Sequence, residues 1–266
     1  METDVKILLT NDDGIEAPGI RALHKALEGL GDITTIAPYT VQSATSHGVT
    51  FYEPLMVHTT TMGDGSIGHA IDGRPADCVK VALRSLWAEL HGEGTRPDIT
   101  ISGMNSGANV GINVIYSGTV AAAVESAFLG VPSIAVSLHL GDRTRIFYDR
   151  AAEIAREAID LILTHPLDPH AVINVNVPRT ETADAPMPPI KVCAMNTAAA
   201  ADDYEKRTSP GGQSYYWPAG SGMAFMHTHP ETDVEFLMDR CVTVTPIEFD
   251  LTDHPRLQTW RERLED

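Results

Sequence analysis

Apolar runs of strand length alternate with amphipathic segments through the first two thirds of the chain. Strands that are apolar on both faces must be covered on both sides, so this alternation predicts a mostly parallel sheet flanked by helices. The predicted fold class is α/β and Rossmann-like. The predicted strands cover 5–10, 33–38, 97–103, 133–138 and 171–178, and the predicted helices lie within 17–31, 74–90, 118–130 and 149–163.

The composition changes after Pro178, where a polar, proline-bearing connector begins. We therefore expect a Rossmann-like core over 1–185 and a C-terminal extension over 186–266. Short strands are predicted in the extension at 191–195 and 241–247. Ser209-Pro210-Gly211-Gly212 has hairpin-turn chemistry between polar and aromatic flanks, which predicts a projecting β-hairpin arm. The last residues have the apolar spacing of a terminal helix.

The chain is strongly acidic, with 19 Lys and Arg residues against 36 Asp and Glu residues and a formal charge of -17. Such a chain would repel a polyanion, and no Lys/Arg cluster is evident, so binding to a nucleic-acid polymer is disfavoured. An anionic small molecule could still bind where a metal cation or backbone N–H groups supply local positive potential.

Three cysteines, Cys78, Cys193 and Cys241, are odd in number and widely spaced in apolar surroundings. They are expected to be buried free thiols and not a disulfide framework or a zinc site. No signal-peptide pattern and no bilayer-length apolar run is present. The expectation is a cytoplasmic protein that does not engage a membrane.

Three polar segments follow predicted strands: "TNDDGIEAPG", "APYTVQSATSHGVT" and "ISGMNSGANVGINVIYSGTV". Ligands of open α/β sheets bind where loops converge at the carboxyl ends of the strands. We expect these three loops to meet in one site at the carboxyl ends of the strands.

The first of these loops contains two adjacent carboxylates, Asp12 and Asp13. They could form a simple turn in which an Asp caps the next helix. However, two neighbouring carboxylates at the buried end of a core strand repel each other unless a cation lies between them. With oxygen donors nearby and no His or Cys, the cation would be hard: Mg²⁺, Mn²⁺ or Ca²⁺.

The third loop leads into a predicted helix through Ser117, Gly118 and Thr119. Free backbone N–H groups and two hydroxyls at a helix start form an anion site that needs no basic side chain. An ordinary N-cap role for Ser117 is equally consistent with the sequence. In the second loop, His47 could act as a proton donor or be structural. His227 and His229 lack the carboxylate pattern that would complete a zinc site.

Several long motifs occur in the order found in the SurE family of stationary-phase survival proteins, which are metal-dependent nucleotidases. They are "ILLTNDDGIEAPGI", "QSATSHGVT", "DGRPADCVKVAL", "ISGMNSGANVGINVIYSGTVAAAVE", "PSIAVSL", "INVNVP" and "TDVEFLMDRCVTVTPIEFDLT". The chain resembles this family from residue 7 to about residue 252. The resemblance implies hydrolysis of nucleoside 5′- or 3′-monophosphates, in some members cleavage of short polyphosphate, and a dimer or tetramer with exchanged C-terminal elements.

The resemblance also implies a set of site residues, with one divalent ion, Mg²⁺ or Mn²⁺, in each subunit. Its metal ligands map to Asp12, Asp13, Ser43 and Asn105. We expect Asn11 and the helix start at Ser117, Gly118 and Thr119 to hold the phosphate, with Asp12 accepting a proton from the attacking water. We assign substrate binding to Asn109, Ser46 and His47. The chain departs from many relatives at Arg74 and from some at Asn113 and Ser106, which affects the expected substrate preference more than the reaction.

Two alternatives remain open from the sequence. A haloacid-dehalogenase-like phosphatase needs an Asp nucleophile after the first strand, but that position is Asn11, and an amide cannot form an acyl phosphate. A non-catalytic nucleotide or divalent-ion sensor on the same fold is the second alternative, because a fold does not fix a function.

Overall fold

A nine-stranded, mostly parallel sheet runs through the computed structural model, which describes residues 5–63, 65–201, 203–219 and 223–265. The strands are β1 Val5–Thr10, β2 Gly31–Pro38, β3 Val57–Thr61, β4 Ile67–Ile71, β5 Ile99–Ser106, β6 Ser133–Leu138, β7 Val172–Val177, β8 Ile190–Val192 and β11 Val242–Ile247. They are ordered β3-β4-β2-β1-β5-β6-β7-β11-β8 in the sheet. The six strands from β4 to β7 pair in parallel, while β3 and β11 run antiparallel to β4 and β7.

Helices cover both faces of the sheet, as the apolar pattern predicts. The helices are α1 Pro18–Leu27, α2 Pro75–Val81, α3 Trp87–His91, α4 Gly118–Phe128, α5 Tyr148–Leu163, α6 Asp233–Met238 and α7 His254–Leu264. Helices α1 and α5 pack together on one face, and α2 and α4 pack together on the other. Along β1, Ile7 and Leu9 join the core under α1 and α5, and Leu8 joins the core under α2. A strand buried on both faces explains the uninterrupted apolar run.

The sequence expectations for the main sheet and its helices are confirmed, with local differences. The predicted helix at 74–90 is divided by a π-helical turn, Ala82–Leu86, between α2 and α3. Strands β3 and β4 and the short helix α6 were not predicted, because each has only five or six residues and β3 is mostly exposed. The strand expected at 191–195 is shorter and ends at Val192.

The C-terminal residues take two different positions. Strands β8 and β11 extend the main sheet beyond β7. The predicted hairpin forms from β9 Tyr204–Thr208 and β10 Ser214–Pro218, and every residue of both strands is exposed. Helix α7 has no buried residue. Within the described ranges, no helix has the length and apolar character needed to cross a membrane.

The chain order creates a switch point beside β1. From β1 the chain goes to β2 on one side, and after β4 it returns to β5 on the other side. Crossovers on opposite faces draw the loops after β1 and β5 apart, so a crevice opens at the carboxyl ends of these strands.

Candidate active site

A cleft of about 270 Å³ lies at this switch point. All three polar loops contribute to it, as the sequence predicts. Six of the expected site residues line it: Asp12, Asp13, Ser43, Asn105, Asn109 and Ser117. Four further residues line it: Ala44, Ser106, Asn113 and Tyr116.

Asp12 is the buried member of the carboxylate pair, with 4% of its surface exposed. The Thr119 hydroxyl donates to Asp12 Oδ1 at 2.5 Å. Burial raises the pKa of Asp12 to about 6 from the usual 3.8, and the neighbouring Asp13 charge adds to this rise against the Thr119 hydrogen bonds. The ionised form is therefore held at an electrostatic cost that a bound cation would relieve.

Asp13 and Asn105 have one polar atom each fixed by the backbone of the third loop. The Ser106 N–H donates to Asp13 Oδ2 at 2.8 Å, and the Asn105 amide nitrogen donates to the Gly107 carbonyl at 2.8 Å. A register shift between Ser102 and Asn105 interrupts the β5–β6 pairing. Bulges of this kind re-aim side chains near functional sites. The side-chain oxygen of Asn105 is the atom of that group suited to a cation.

The second loop brings Ser43 to the cleft beside the first loop. The Gln42 N–H donates to the Asp12 carbonyl at 2.8 Å, which joins the two loops one residue before Ser43. Ala44 and Ser46 have left-handed backbones, with φ of 55° and 53°. Non-glycine residues seldom adopt this conformation, and it persists where surrounding contacts hold it.

Helix α4 begins at the cleft. The Ser117 hydroxyl oxygen accepts a hydrogen bond from Val120 N at 3.1 Å, so Ser117 is an N-cap and also a wall of the cleft. A Cβ on Gly118 would lie 2.8 Å from Asp12 Cβ and 3.0 Å from Asp12 Oδ2. Only a glycine therefore lets the start of α4 approach Asp12 this closely.

Asn109 is held by a buried polar network that the sequence did not reveal. Its amide nitrogen donates to Ser137 Oγ, and its backbone N–H donates to Asn176 Oδ1, both at 2.8 Å. The amides of Asn174 and Asn176 donate to the Asn109 carbonyl at 2.7 and 3.0 Å. The signal was available in "VINVNV", since two asparagines in a buried strand need polar partners.

Comparison with known proteins agrees with this arrangement. The family model described as survival protein SurE matches residues 7–202. The chain belongs to the SurE family. A protein of Rhodopirellula baltica named 5'-nucleotidase SurE is 43% identical over 255 residues, covering 93% of this chain and 94% of that protein. One of the same name from Carboxydothermus hydrogenoformans is 38% identical over 98% of both chains.

A solved structure supports the SurE fold directly. The crystal structure of the SurE protein from Aquifex aeolicus superposes with a TM-score of 0.81 at 33% identity, covering 98% of this chain and 99% of that one.

Several expected SurE site residues lie outside the cleft lining. Asn11 is fully buried, and its amide nitrogen donates to the Gly14 carbonyl at 2.8 Å, so it shapes the turn after β1. Thr119 is also buried, and its hydroxyl is used on Asp12. Ser46 Oγ donates to the Ile115 carbonyl at 2.7 Å. His47 Nε2 lies 2.7 Å from Glu125 Oε2. The substrate-binding roles given to Ser46 and His47 stay predictions.

No group of three or more His, Cys, Asp or Glu side chains suited to a metal occurs among the residues that the structure describes. The His227 and His229 rings do approach each other, with 3.2 Å between their Nε2 atoms. Among the residues that line the cleft, Asp12 and Asp13 are the carboxylates, and the amide of Asn105 and the hydroxyl of Ser43 are the further donors that the sequence predicts as metal ligands.

Proposed function

We propose that this SurE-family protein is a divalent-metal-dependent phosphomonoesterase that hydrolyses nucleoside 5′-monophosphates, and 3′-monophosphates, to nucleoside and phosphate. The observation that carries the proposal is the pairing of a buried carboxylate, Asp12, with its neighbour Asp13 in the cleft at the switch point. The names of relatives 38–43% identical over almost the whole chain support the same reaction.

The cleft residues fit one divalent cation per subunit. Asp12, Asp13, Ser43 and Asn105 would hold it, and all four offer oxygen, the donor that Mg²⁺ and Mn²⁺ prefer. The raised pKa of Asp12 supports this set, because a cation beside the carboxylate removes the penalty of burying its charge. When bound, the cation supplies the positive charge that draws a phosphate into an acidic cleft and acidifies water.

The remaining cleft residues suit the phosphate. The helix dipole favours an anion at the start of α4. The Thr119 N–H and hydroxyl already donate to Asp12, so we assign the Gly118 N–H and the Ser117 hydroxyl to the phosphate. These donors are fixed before the substrate arrives, so they stabilise charge on the phosphoryl oxygens without reorganisation. We assign to Asp12 the role of accepting a proton from the attacking water.

We include a homo-oligomer and a cytoplasmic location in the proposal. The exposed aromatic residues of the β9–β10 arm and the exposed helix α7 support assembly into a dimer or tetramer. Cys78, Cys193 and Cys241 are free and buried, which suits a reducing compartment.

The experiment is an assay of phosphate release from a panel of nucleoside monophosphates with Mn²⁺ or Mg²⁺, with and without EDTA. We expect release that EDTA abolishes and that Asp13→Asn nearly eliminates. The matched control is Asp184→Asn, which removes an exposed carboxylate outside the cleft lining and should leave release unchanged.

The outcomes separate the alternatives. A sensor would bind nucleotide and release no phosphate. An aspartyl phosphatase would form an acyl phosphate on its own carboxylate, so fluoride–metal mimics of an aspartyl phosphate would trap it. Release that persists fully in EDTA, or in Asp13→Asn, contradicts the proposal.

A further inference from the structure

We propose that Glu125 and His47, neither of which lines the cleft, are positioning residues that hold Ser43 in place for the cation. This inference rests on the proposed function. It gives His47 a role through the loop that carries Ser43 in place of contact with the substrate.

The Ser43 loop needs external support. Between the end of β2 at Pro38 and the start of β3 at Val57, the chain has no helix or strand. Within it, Ala44 and Ser46 have left-handed backbones, which non-glycine residues adopt only at a cost in strain. The loop has few hydrogen bonds of its own, such as that from the Thr45 hydroxyl to the Gln42 carbonyl, so contacts to neighbouring elements contribute to holding its shape.

Those contacts connect the loop to elements that form the cleft. On one side of Ser43, the Gln42 N–H donates to the Asp12 carbonyl. On the other side, Ser46 donates from N to the Tyr116 carbonyl at 3.1 Å. The next residue, His47, reaches Glu125. Further along, Thr50 donates from its N–H and its hydroxyl to the Asp77 carboxylate, both at 2.8 Å.

Glu125 is the ion-paired anchor in this series. It is 4% exposed and lies on α4, the helix whose first turn forms a wall of the cleft. Seven residues separate it from Gly118, a rise of roughly 10 Å along the helix. A single rigid element therefore sets the position of both the cleft wall and the His47 anchor, which fixes the loop relative to Asp12.

The two carboxylate oxygens of Glu125 have different partners. Variants of these partners can therefore separate an effect on the position of the Ser43 loop from an effect on the stability of the fold. Lys80 of α2 contacts Oε1 at 3.2 Å, and His47 contacts Oε2 at 2.7 Å. The Lys80 contact joins two helices that already pack together. The His47 contact alone extends to the loop. If the ion pairs served only stability, losing either partner would have the same consequences at the cleft.

The test measures Mn²⁺ binding directly, by the electron spin resonance of free Mn²⁺, in the wild type, His47→Ala, His47→Gln and Lys80→Met. We expect His47→Ala to weaken Mn²⁺ binding about tenfold or more, as loss of a residue that orients a ligand does. His47→Gln keeps a donor near the Nε2 position and should recover most of the affinity. Lys80→Met should bind Mn²⁺ as the wild type does, even if its unfolding temperature falls.

Two further measurements distinguish positioning from general loosening. At saturating Mn²⁺, the kcat of His47→Ala should recover towards wild type, while the Mn²⁺ concentration for half-maximal rate rises. Hydrogen exchange should accelerate within 42–49 in His47→Ala and stay unchanged there in Lys80→Met. Wild-type Mn²⁺ affinity in His47→Ala, or an equal loss in Lys80→Met, overturns the inference while leaving the proposed function standing. If the wild type binds no Mn²⁺, both the proposed function and this inference are contradicted.

Discussion

Gly118 provides the room that the Asp12 carboxylate occupies, and this closeness can be tested by adding one methyl group. A Cβ at this position would lie 2.8 Å from Asp12 Cβ, so Gly118→Ala must push Asp12 or the start of α4 away. We expect activity to fall about 100-fold, as a displacement of about 1 Å does in active sites, with the protein still folded.

The matched control for this change is Gly211→Ala. Gly211 lies in the hairpin turn, and the nearest atom to an added Cβ is Ser209 Oγ at 3.9 Å. Measured kcat/KM should be unaffected there. Equal activity in Gly118→Ala and wild type would mean that the approach of α4 to Asp12 does not matter for the reaction.

The buried carboxylate of Asp12 lowers the stability of the metal-free protein. A buried carboxylate next to another carboxylate opposes folding in the absence of a cation. Asp12→Asn keeps the shape and can still accept from Thr119, so metal-free Asp12→Asn should unfold at no lower temperature than wild type at pH 7.5. Its activity should fall by at least about 100-fold, since even residues one step removed from a metal cost 10- to 100-fold. An Asp12→Asn variant that unfolds at a lower temperature than wild type and keeps its activity would contradict both the expected stability and the expected loss of activity.

At the residue scale, the sequence reveals charges that are adjacent in the chain and conceals pairs that the fold assembles. Asp12 and Asp13 stand next to each other, so their repulsion could be predicted directly. The partner of His47 lies 78 positions away at Glu125, and the partners of Asn109 lie on β6 and β7. No periodicity or motif spacing encodes such distances, so these contacts could not be predicted.

At the scale of elements, Glu125 connects α4 to α2 and to the Ser43 loop, and its ionisation should affect stability. Burial raises the pKa of Glu125, but hydrogen bonds and charges from His47 and Lys80 outweigh burial and hold the pKa below its usual 4.5. A carboxyl with a lowered pKa stabilises the fold above its unfolded-state pKa and loses this contribution as pH falls through its folded-state pKa.

Glu125→Gln should therefore lower the free energy of unfolding at pH 7 by about 1–2 kcal/mol, a value reduced for the exposure of both partners. The difference from wild type should shrink below pH 4.5 as the wild-type carboxyl protonates. Urea unfolding at pH 7 and at successive pH values below 4.5 measures it. A difference that stays constant with pH would show that packing, and not ionisation, makes Glu125 important.

Elements differ in how well they could be predicted. Strands β1, β5, β6 and β7 are buried on both faces, so their apolar runs identified them. Strands β3 and β4 are short and lie at one edge of the sheet, where exposure leaves a weaker pattern. The placement of β11 between β7 and β8 depends on pairing across the chain, which local pattern does not specify.

For the whole molecule, the arm formed by β9 and β10 tests the proposed assembly. Tyr216 and Trp217 are 61% and 57% exposed, and large exposed aromatics are typical anchors of interfaces. Replacing both with Ser should shift the protein from oligomer to monomer in sedimentation velocity, because each such anchor contributes about 2 kcal/mol. Tyr52→Ser, which removes a fully exposed aromatic outside the arm, is the control. A wild type that already sediments as a monomer would contradict the assembly.

The account as a whole depends on a cation between the carboxylates at the sheet's switch point. Anomalous scattering from crystals soaked in Mn²⁺ measures this most directly. We predict one strong peak per chain, about 2 Å from oxygens of Asp12 and Asp13 and within reach of Ser43 and Asn105. Crystals that show no peak there, while the same protein in Mn²⁺ releases phosphate from nucleoside monophosphates, would contradict it.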